Sequence, residues 1–237
     1  MSLRPSFTHC ATYMDAQSRS AASPSGRKIQ NRLPFVTLSR EMGAGAVTLG
    51  EEIATHLQSR ARATDAPWTV FDRNLMKKVL EEHHLPTNLA AFLPEDRVSE
   101  IQSAIRELFG LHPPLATMFQ HMTKTILGLA EMGHVVLVGR GANLITAHLE
   151  GGFHVRLVGS PERRIERVMA HYQLSRKEAV GFMKKGDVAR KAFVEKFFDA
   201  EPSDPLHYHL VVNTDRIPTS EAAQLIGEIV LARTSRA

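Results

Sequence analysis

Residues 39–48 read Ser-Arg-Glu-Met-Gly-Ala-Gly-Ala-Val-Thr, and residues of these types at this spacing fit phosphate chemistry. Gly43 and Gly45 let backbone N–H groups approach an anion. The alternative is a tight strand–helix turn that needs glycine only for its geometry, and Thr48 adds a hydroxyl where a helix is expected to begin. The peptide dipoles favour negative charge at such a point. A phosphate-binding P-loop carries Lys and then Ser or Thr after its last glycine, whereas Gly45 is followed here by Ala46, Val47 and Thr48. Arg40 can replace the missing charge, because a guanidinium grips phosphate bidentately. The alternative for Arg40 is an ion pair with Glu41 or Glu51. Ser39, just before it, lacks the Gly-x-Ser-x-Gly setting of a hydrolase nucleophile.

Further charged residues stand where a ligand could use them. Asp72 follows the apolar run Trp68–Phe71. It could orient a nucleotide hydroxyl or a metal-bound water, or cap a helix read over Arg73–His84. Arg140 follows the most apolar run, His134–Val138, where a ligand beyond the sheet would lie, and the alternative is a pair with a nearby carboxylate. Lys184, Lys185, Asp187 and Arg190 lie within about two helical turns. Arginines so placed neutralise charge spread over a transferring phosphoryl group, and the alternative is a solvated face with an Asp187–Arg190 pair. Arg164 and Arg167 suit an anionic ligand, or surface pairs with Glu162 and Glu166. Of the 12 histidines, His83 and His84 face different ways on a helix. His207 and His209 share a face if Tyr208–Asn213 is a strand. With no third ligand nearby and no Cys pair, a structural metal site is not expected.

These residues need elements to hold them. Leu33–Leu38, Trp68–Phe71, His134–Val138, Phe153–Val158 and Tyr208–Asn213 read as buried strands. Leu49, Ile53 and Leu57 repeat at helical spacing behind the glycine turn. Ser160-Pro161-Glu162 reads as N-cap, first-turn proline and first-turn acid, and Ser175 with Glu178 has capping-box spacing. Helices are also expected over Glu95–Phe109, Leu115–Met132 (after a break at Pro113-Pro114), from Gly141 through His148, and over Ser220–Arg233. Alternating strands and helices predict a mostly parallel sheet with helices on both faces, and ligands bind beyond the carboxyl ends of such strands. Residues 1–30, rich in Ser, Ala and Arg, read as a flexible tail, and residues 31–237 as the domain. Within it, 86–132 reads as a helical insertion and 174–200 as a lid region.

The bulk numbers agree. The chain has 237 residues, is 43% hydrophobic and 23% charged, and carries a formal charge of +4. That balance suits an anionic ligand such as a nucleotide. Nucleic acid is the less expected partner, since the basic residues are scattered with few aromatics between them. No apolar run approaches a membrane span, so no membrane partner is expected. One cysteine, Cys10, cannot form an internal disulfide, and a cytoplasmic location is expected. The apolar face around Leu115–Leu129 leaves a homodimer open.

Taken in order, these segments resemble the cytidylate-kinase-like family, a branch of the P-loop nucleoside monophosphate kinases. Ser39–Gly45 resembles its modified P-loop, Phe71-Asp72-Arg73 its aromatic-Asp-basic segment, and Val138–Asn143 its Gly-Arg segment. Lys184, Asp187, Arg190, Asp204-Pro205, Tyr208 and Asn213-Thr214 resemble its lid and final strand. The chain departs from true cytidylate kinases at Ala46, where those carry lysine, and at Gly141, where they carry an acid. The resemblance implies a P-loop-kinase-like three-layer α/β/α fold with a mostly parallel sheet and a helical lid. It implies ATP and Mg²⁺ as cofactors, with Thr48 on the Mg²⁺ side, and phosphoryl transfer to a nucleoside monophosphate such as CMP. Under it Arg40, Arg140, Arg190 and Asp187 would be catalytic. Ser39, Gly43, Ala44, Gly45, Ala46, Val47, Thr48, Asp72, Arg164 and Arg167 would bind nucleotide or phosphate. The loss of the loop lysine keeps a second reading open, a catalytically inactive nucleotide sensor.

Overall fold

Each apolar run becomes a short strand because β-branched and aromatic residues fill both faces of it. The computed structural model describes residues 33–62, 66–72, 113–139 and 141–234. Their strands are β1 (Phe35–Arg40), β2 (Thr69–Phe71), β3 (Val135–Val138), β4 (Gly152–Val158) and β5 (Leu210–Asn213). They form one five-stranded sheet in the order β2-β3-β1-β4-β5. Every pairing is parallel, with Val36 opposite Val136 and Phe153, and Arg156 opposite Val211.

The helices are α1 (Ala46–Arg60), α2 (Pro113–Met132), α3 (Ala142–Ile145), α4 (Pro161–Tyr172), α5 (Arg176–Phe198) and α6 (Thr219–Thr234), with a 3-10 turn at Pro205–His207. Side chains alternate across the sheet, so the inner strands β1 and β3 serve two cores, while the edge strand β5, expected to be buried, buries only Val212. Val36, Leu38, Val136 and Val138 pack with Leu49, Ile53 and Leu57 of α1 and Ile226 of α6. Phe35, Val135 and Leu137 pack on the other face with Met122, Ile126 and Leu129 of α2 and Ile145 of α3. This is the three-layer α/β/α sandwich. A third cluster joins Met42 to Ile165 and Val168 of α4 and Ala179 and Met183 of α5, outside the sheet and beside the glycine turn.

Two helix starts follow the sequence reading closely. The Ser160 side chain accepts from Arg163 N–H, and Ser175 and Glu178 form a full capping box. Three local expectations change. Pro113 and Pro114 open α2 instead of breaking the chain before it, since a first-turn proline lacks only an N–H that would be unpaired anyway. The helix expected through His148 stops at Ile145, where the Thr146 hydroxyl donates back to Ala142 O at 2.7 Å. His207 closes the 3-10 turn and His209 precedes β5, so the two do not share a strand face. His209 instead stacks on Phe153, its centroid 5.3 Å away. The expected tail 1–30, the Arg73–His84 and Glu95–Phe109 helices, and Arg140 lie outside the described residues.

Candidate functional site

The carboxyl ends of β1 and β3 and the start of α1 meet at one end of the sheet. Gly43 and Gly45 adopt left-handed backbone, with φ of 79° and 83°. The Gly45 carbonyl accepts from Leu49 N–H at 3.0 Å and so begins α1. The N–H groups of the first helical turn have no partner within the helix, which leaves them for an anion. The turn walls a cavity of about 420 Å³. Arg40 and the whole of Gly43–Thr48 line it, with Arg167, His171 and Tyr172 from α4 and Arg190 from α5 on the other sides. Thr48 is exposed on the first turn of α1.

The guanidinium of Arg40 lies against Gly139, so closely that a Cβ built there would fall 1.7 Å from Nη1. Arg40 therefore spans the glycine turn after β1 and the glycine turn after β3. The Ser39 hydroxyl donates to Oδ1 of the buried Asn143, at 3.1 Å, tying the same two turns together. Asp72 sits half-buried at the end of β2. Glu51 on α1 is held above the usual carboxylate range by burial first, then by the charges of Asp72 and Glu52.

Arg167 reaches across to the β5–α6 turn. Its guanidinium donates to Thr214 O at 2.7 Å and Thr214 Oγ1 at 3.0 Å, and lies 3.4 Å from Asp215. Asp215 accepts from Ser160 N–H at 2.6 Å. Hydrogen bonds from Ser160, followed by the Arg167 and Arg163 charges, hold Asp215 below the usual carboxylate range.

Arg164 does not line the cavity. It is 6% exposed. Its Nε donates to Met42 O at 2.8 Å, Nη1 lies 3.3 Å from Glu41, and Nη2 donates to Asp187. Asp187 also accepts from Met42 N–H at 2.7 Å, and Arg190 approaches it at 3.5 Å. Glu166 and Glu162, the surface partners weighed for Arg164 and Arg167, pair instead with Arg163, at 3.1 Å, and with Arg176 of α5.

Of the residues singled out from the sequence, Arg40, Gly43, Ala44, Gly45, Ala46, Val47, Thr48, Arg167 and Arg190 therefore share one cavity. Ser39 and Asp72 stand at the neighbouring strand ends, and Arg164 and Asp187 stand behind the turn. Sequence reasoning missed His171 and Tyr172, and gave Thr214 no role of its own. The signal for His171 was its i+4 spacing from Arg167, which puts both on one helix face.

A family model described as the cytidylate kinase-like family matches residues 35–216. The chain belongs to the cytidylate kinase-like family. With this fold it is a nucleotide-kinase-like protein. The solved structure of an uncharacterized protein from Eubacterium ventriosum has the same fold, with a TM-score of 0.61 at 16% identity, over 84% of this chain and 99% of that one. A shikimate kinase from Bacteroides thetaiotaomicron superposes with a TM-score of 0.47 at 18% identity, over 84% of this chain and 98% of that one. A uronate isomerase from Corynebacterium glutamicum is 27% identical over 111 residues, 47% of this chain. The chain spans 21% of that protein's length. Among the described residues no helix is long and apolar enough to cross a membrane.

Proposed function

We propose that this protein transfers the γ-phosphoryl group of ATP to a nucleoside monophosphate such as CMP. The observation that carries the reading is the convergence of Arg40, Arg167 and Arg190 on a cavity walled by the Gly43–Thr48 turn. Such transfer asks a protein for positioning and charge neutralisation more than covalent chemistry. The bond from the bridging oxygen to the γ-phosphorus breaks, ADP leaves, and an acceptor phosphate oxygen forms the new bond.

In this reading the N–H groups of Gly43–Thr48 cradle the donor phosphates. Arg40, lying between the two glycine turns, faces donor and acceptor and supplies the charge that Ala46 lacks. Arg140 holds the acceptor. Arg190 closes on the transferring group from α5, which acts as the lid. Arg167 steadies the donor against the Thr214 turn. Asp72 orients an acceptor hydroxyl or a water.

Mg²⁺ fits this arrangement as an ion carried by the donor phosphates. Thr48 is an exposed hydroxyl on the cavity wall, while no group of three His, Cys, Asp or Glu side chains among the described residues could hold a metal unaided. When bound, it neutralises charge on the phosphate oxygens.

A second reading, a nucleotide-binding sensor without turnover, draws support from Ala46. Loss of a phosphate-facing charge costs several kcal/mol of transition-state stabilisation while binding can persist. An ADP-release assay with ATP, Mg²⁺ and each common nucleoside monophosphate separates the two. Turnover with one acceptor, abolished in Arg40→Ala, is expected. Silence with every acceptor alongside calorimetric ATP binding selects the sensor.

A further inference from the structure

We propose that Asp187 and Arg164 are positioning residues that act through the glycine turn, and that this pair makes the turn's anion affinity depend on α5. The inference rests on the nucleotide-binding reading above.

Both helices beside the cavity split their charges the same way. On α4, Arg167 lines the cavity and Arg164, three residues earlier, does not; on α5, Arg190 lines it and Asp187, three residues earlier, does not. The earlier pair meets behind the turn. Asp187 Oδ1 accepts from Met42 N–H at 2.7 Å while Oδ2 accepts from Arg164. Arg164 also donates to Met42 O at 2.8 Å, so α4 and α5 together hold both polar groups of the Met42 backbone. Glu41 completes the knot, 3.3 Å from Arg164 and accepting from Gly159 N–H at 3.1 Å.

Two arginines thus face two carboxylates around residues 41 and 42, just before the turn that meets the ligand. A loop with lysine at position 46 could tolerate some disorder, because a mobile cation still finds its phosphate. With Ala46 there, binding depends on N–H groups already in place, so whatever fixes the turn fixes affinity. Asp187 stands on α5 one turn from Arg190, so any movement of α5 that repositions Arg190 also loads or releases Met42. By linkage, a nucleotide in the cavity must hold α5 in return.

The test uses the full chain with ATP–Mg²⁺ as probe in calorimetry, together with amide hydrogen exchange and thermal unfolding. Asp187→Asn keeps the size of the side chain but loses the charge opposite Arg164. ATP affinity is expected to fall about tenfold, with faster exchange confined to the segment around Met42, because a hydrogen bond to a charged group carries that much. In wild type, ATP should slow exchange in α5. Asp187→Glu keeps the charge while displacing the oxygen from Met42 N–H. It serves where Asp187→Asn does not fold, and is read by the same criteria.

ATP affinity within twofold of wild type in a folded variant overturns the proposal, as does exchange around Met42 that is unchanged in the ligand-free variant. If wild type binds no ATP, the functional reading falls, and ligand-free exchange still decides whether Asp187 holds the turn.

Discussion

Replacing Gly43 with alanine probes how tightly the turn is built, and Gly45 supplies its internal control. Both glycines have left-handed φ, 79° and 83°, which for an L-residue costs about 1 kcal/mol. They differ in what a side chain would meet. A Cβ at Gly43 falls 2.5 Å from the Arg164 carbonyl oxygen and 3.0 Å from Val168 Cγ2. The carbonyl belongs to the backbone of α4 and cannot swing aside, and overpacking of this kind adds about 1–3 kcal/mol. A Cβ at Gly45 meets only Thr219 Cγ2 at 3.6 Å, an ordinary contact. Gly43→Ala should therefore destabilise by about 3 kcal/mol and Gly45→Ala by about 1 kcal/mol. For a chain of this size that lowers the melting temperature by about 6–12 °C and about 2–4 °C respectively. Differential scanning calorimetry without ligand reads the shifts directly. Equal shifts would refute the reasoning, since they would mean the turn has room to move away from α4.

The second glycine turn and a buried histidine give two further outcomes. Gly139→Ala should push aside the Arg40 guanidinium that lies against it, so in the ADP-release assay it should lose about as much activity as Arg40→Ala; the double variant should then be little worse than either, whereas additive losses would separate the two residues. The second outcome concerns pH. Burial first, then the charges of His209 and Arg233, push the His154 imidazole down from 6.5 to about 4. The unfolded chain accepts a proton between those values that the native chain refuses, so stability is complete above pH 6.5 and falls as the pH drops towards 4. The loss is about 3 kcal/mol by linkage, and urea midpoints across that range should show it in wild type and much less in His154→Leu. A wild-type profile that stays flat would contradict the buried, neutral imidazole.

Which parts of this molecule are legible in its sequence follows from the range of the interactions involved. Strands, the glycine turn and the caps at Ser160 and Ser175 are decided by residues at most a few positions apart, and a single chain displays them. The strand order is not displayed, because all the strands are similarly apolar and any could pair with any other. Arg164 shows the same limit within the site. Between Glu162 and Glu166 it reads as one more surface arginine, yet its partners are Glu41 and Asp187, far away in sequence, and it is the most buried charge of the set. Arg163 and Arg176 take the local carboxylates instead.

The division of labour on α4 and α5 has a geometric origin. A step of three residues turns a helix by about 300°, so positions so spaced are neighbours, but they face directions about 60° apart. On a helix packed beside the turn, that angle is enough to send Arg167 and Arg190 into the cavity and Arg164 and Asp187 behind its wall. Composition is blind to this difference, because Arg164 and Arg167 on α4, and Asp187 and Arg190 on α5, stand among other charged residues of the same helix. Only the packing of Met42 against Val168 and Met183, which fixes how each helix is rotated about its axis, decides which charge meets a ligand and which holds the loop that does. A substitution that re-seats Met42 should therefore exchange these roles before it unfolds the protein, and Met42→Ala is expected to weaken ATP binding out of proportion to its effect on melting temperature.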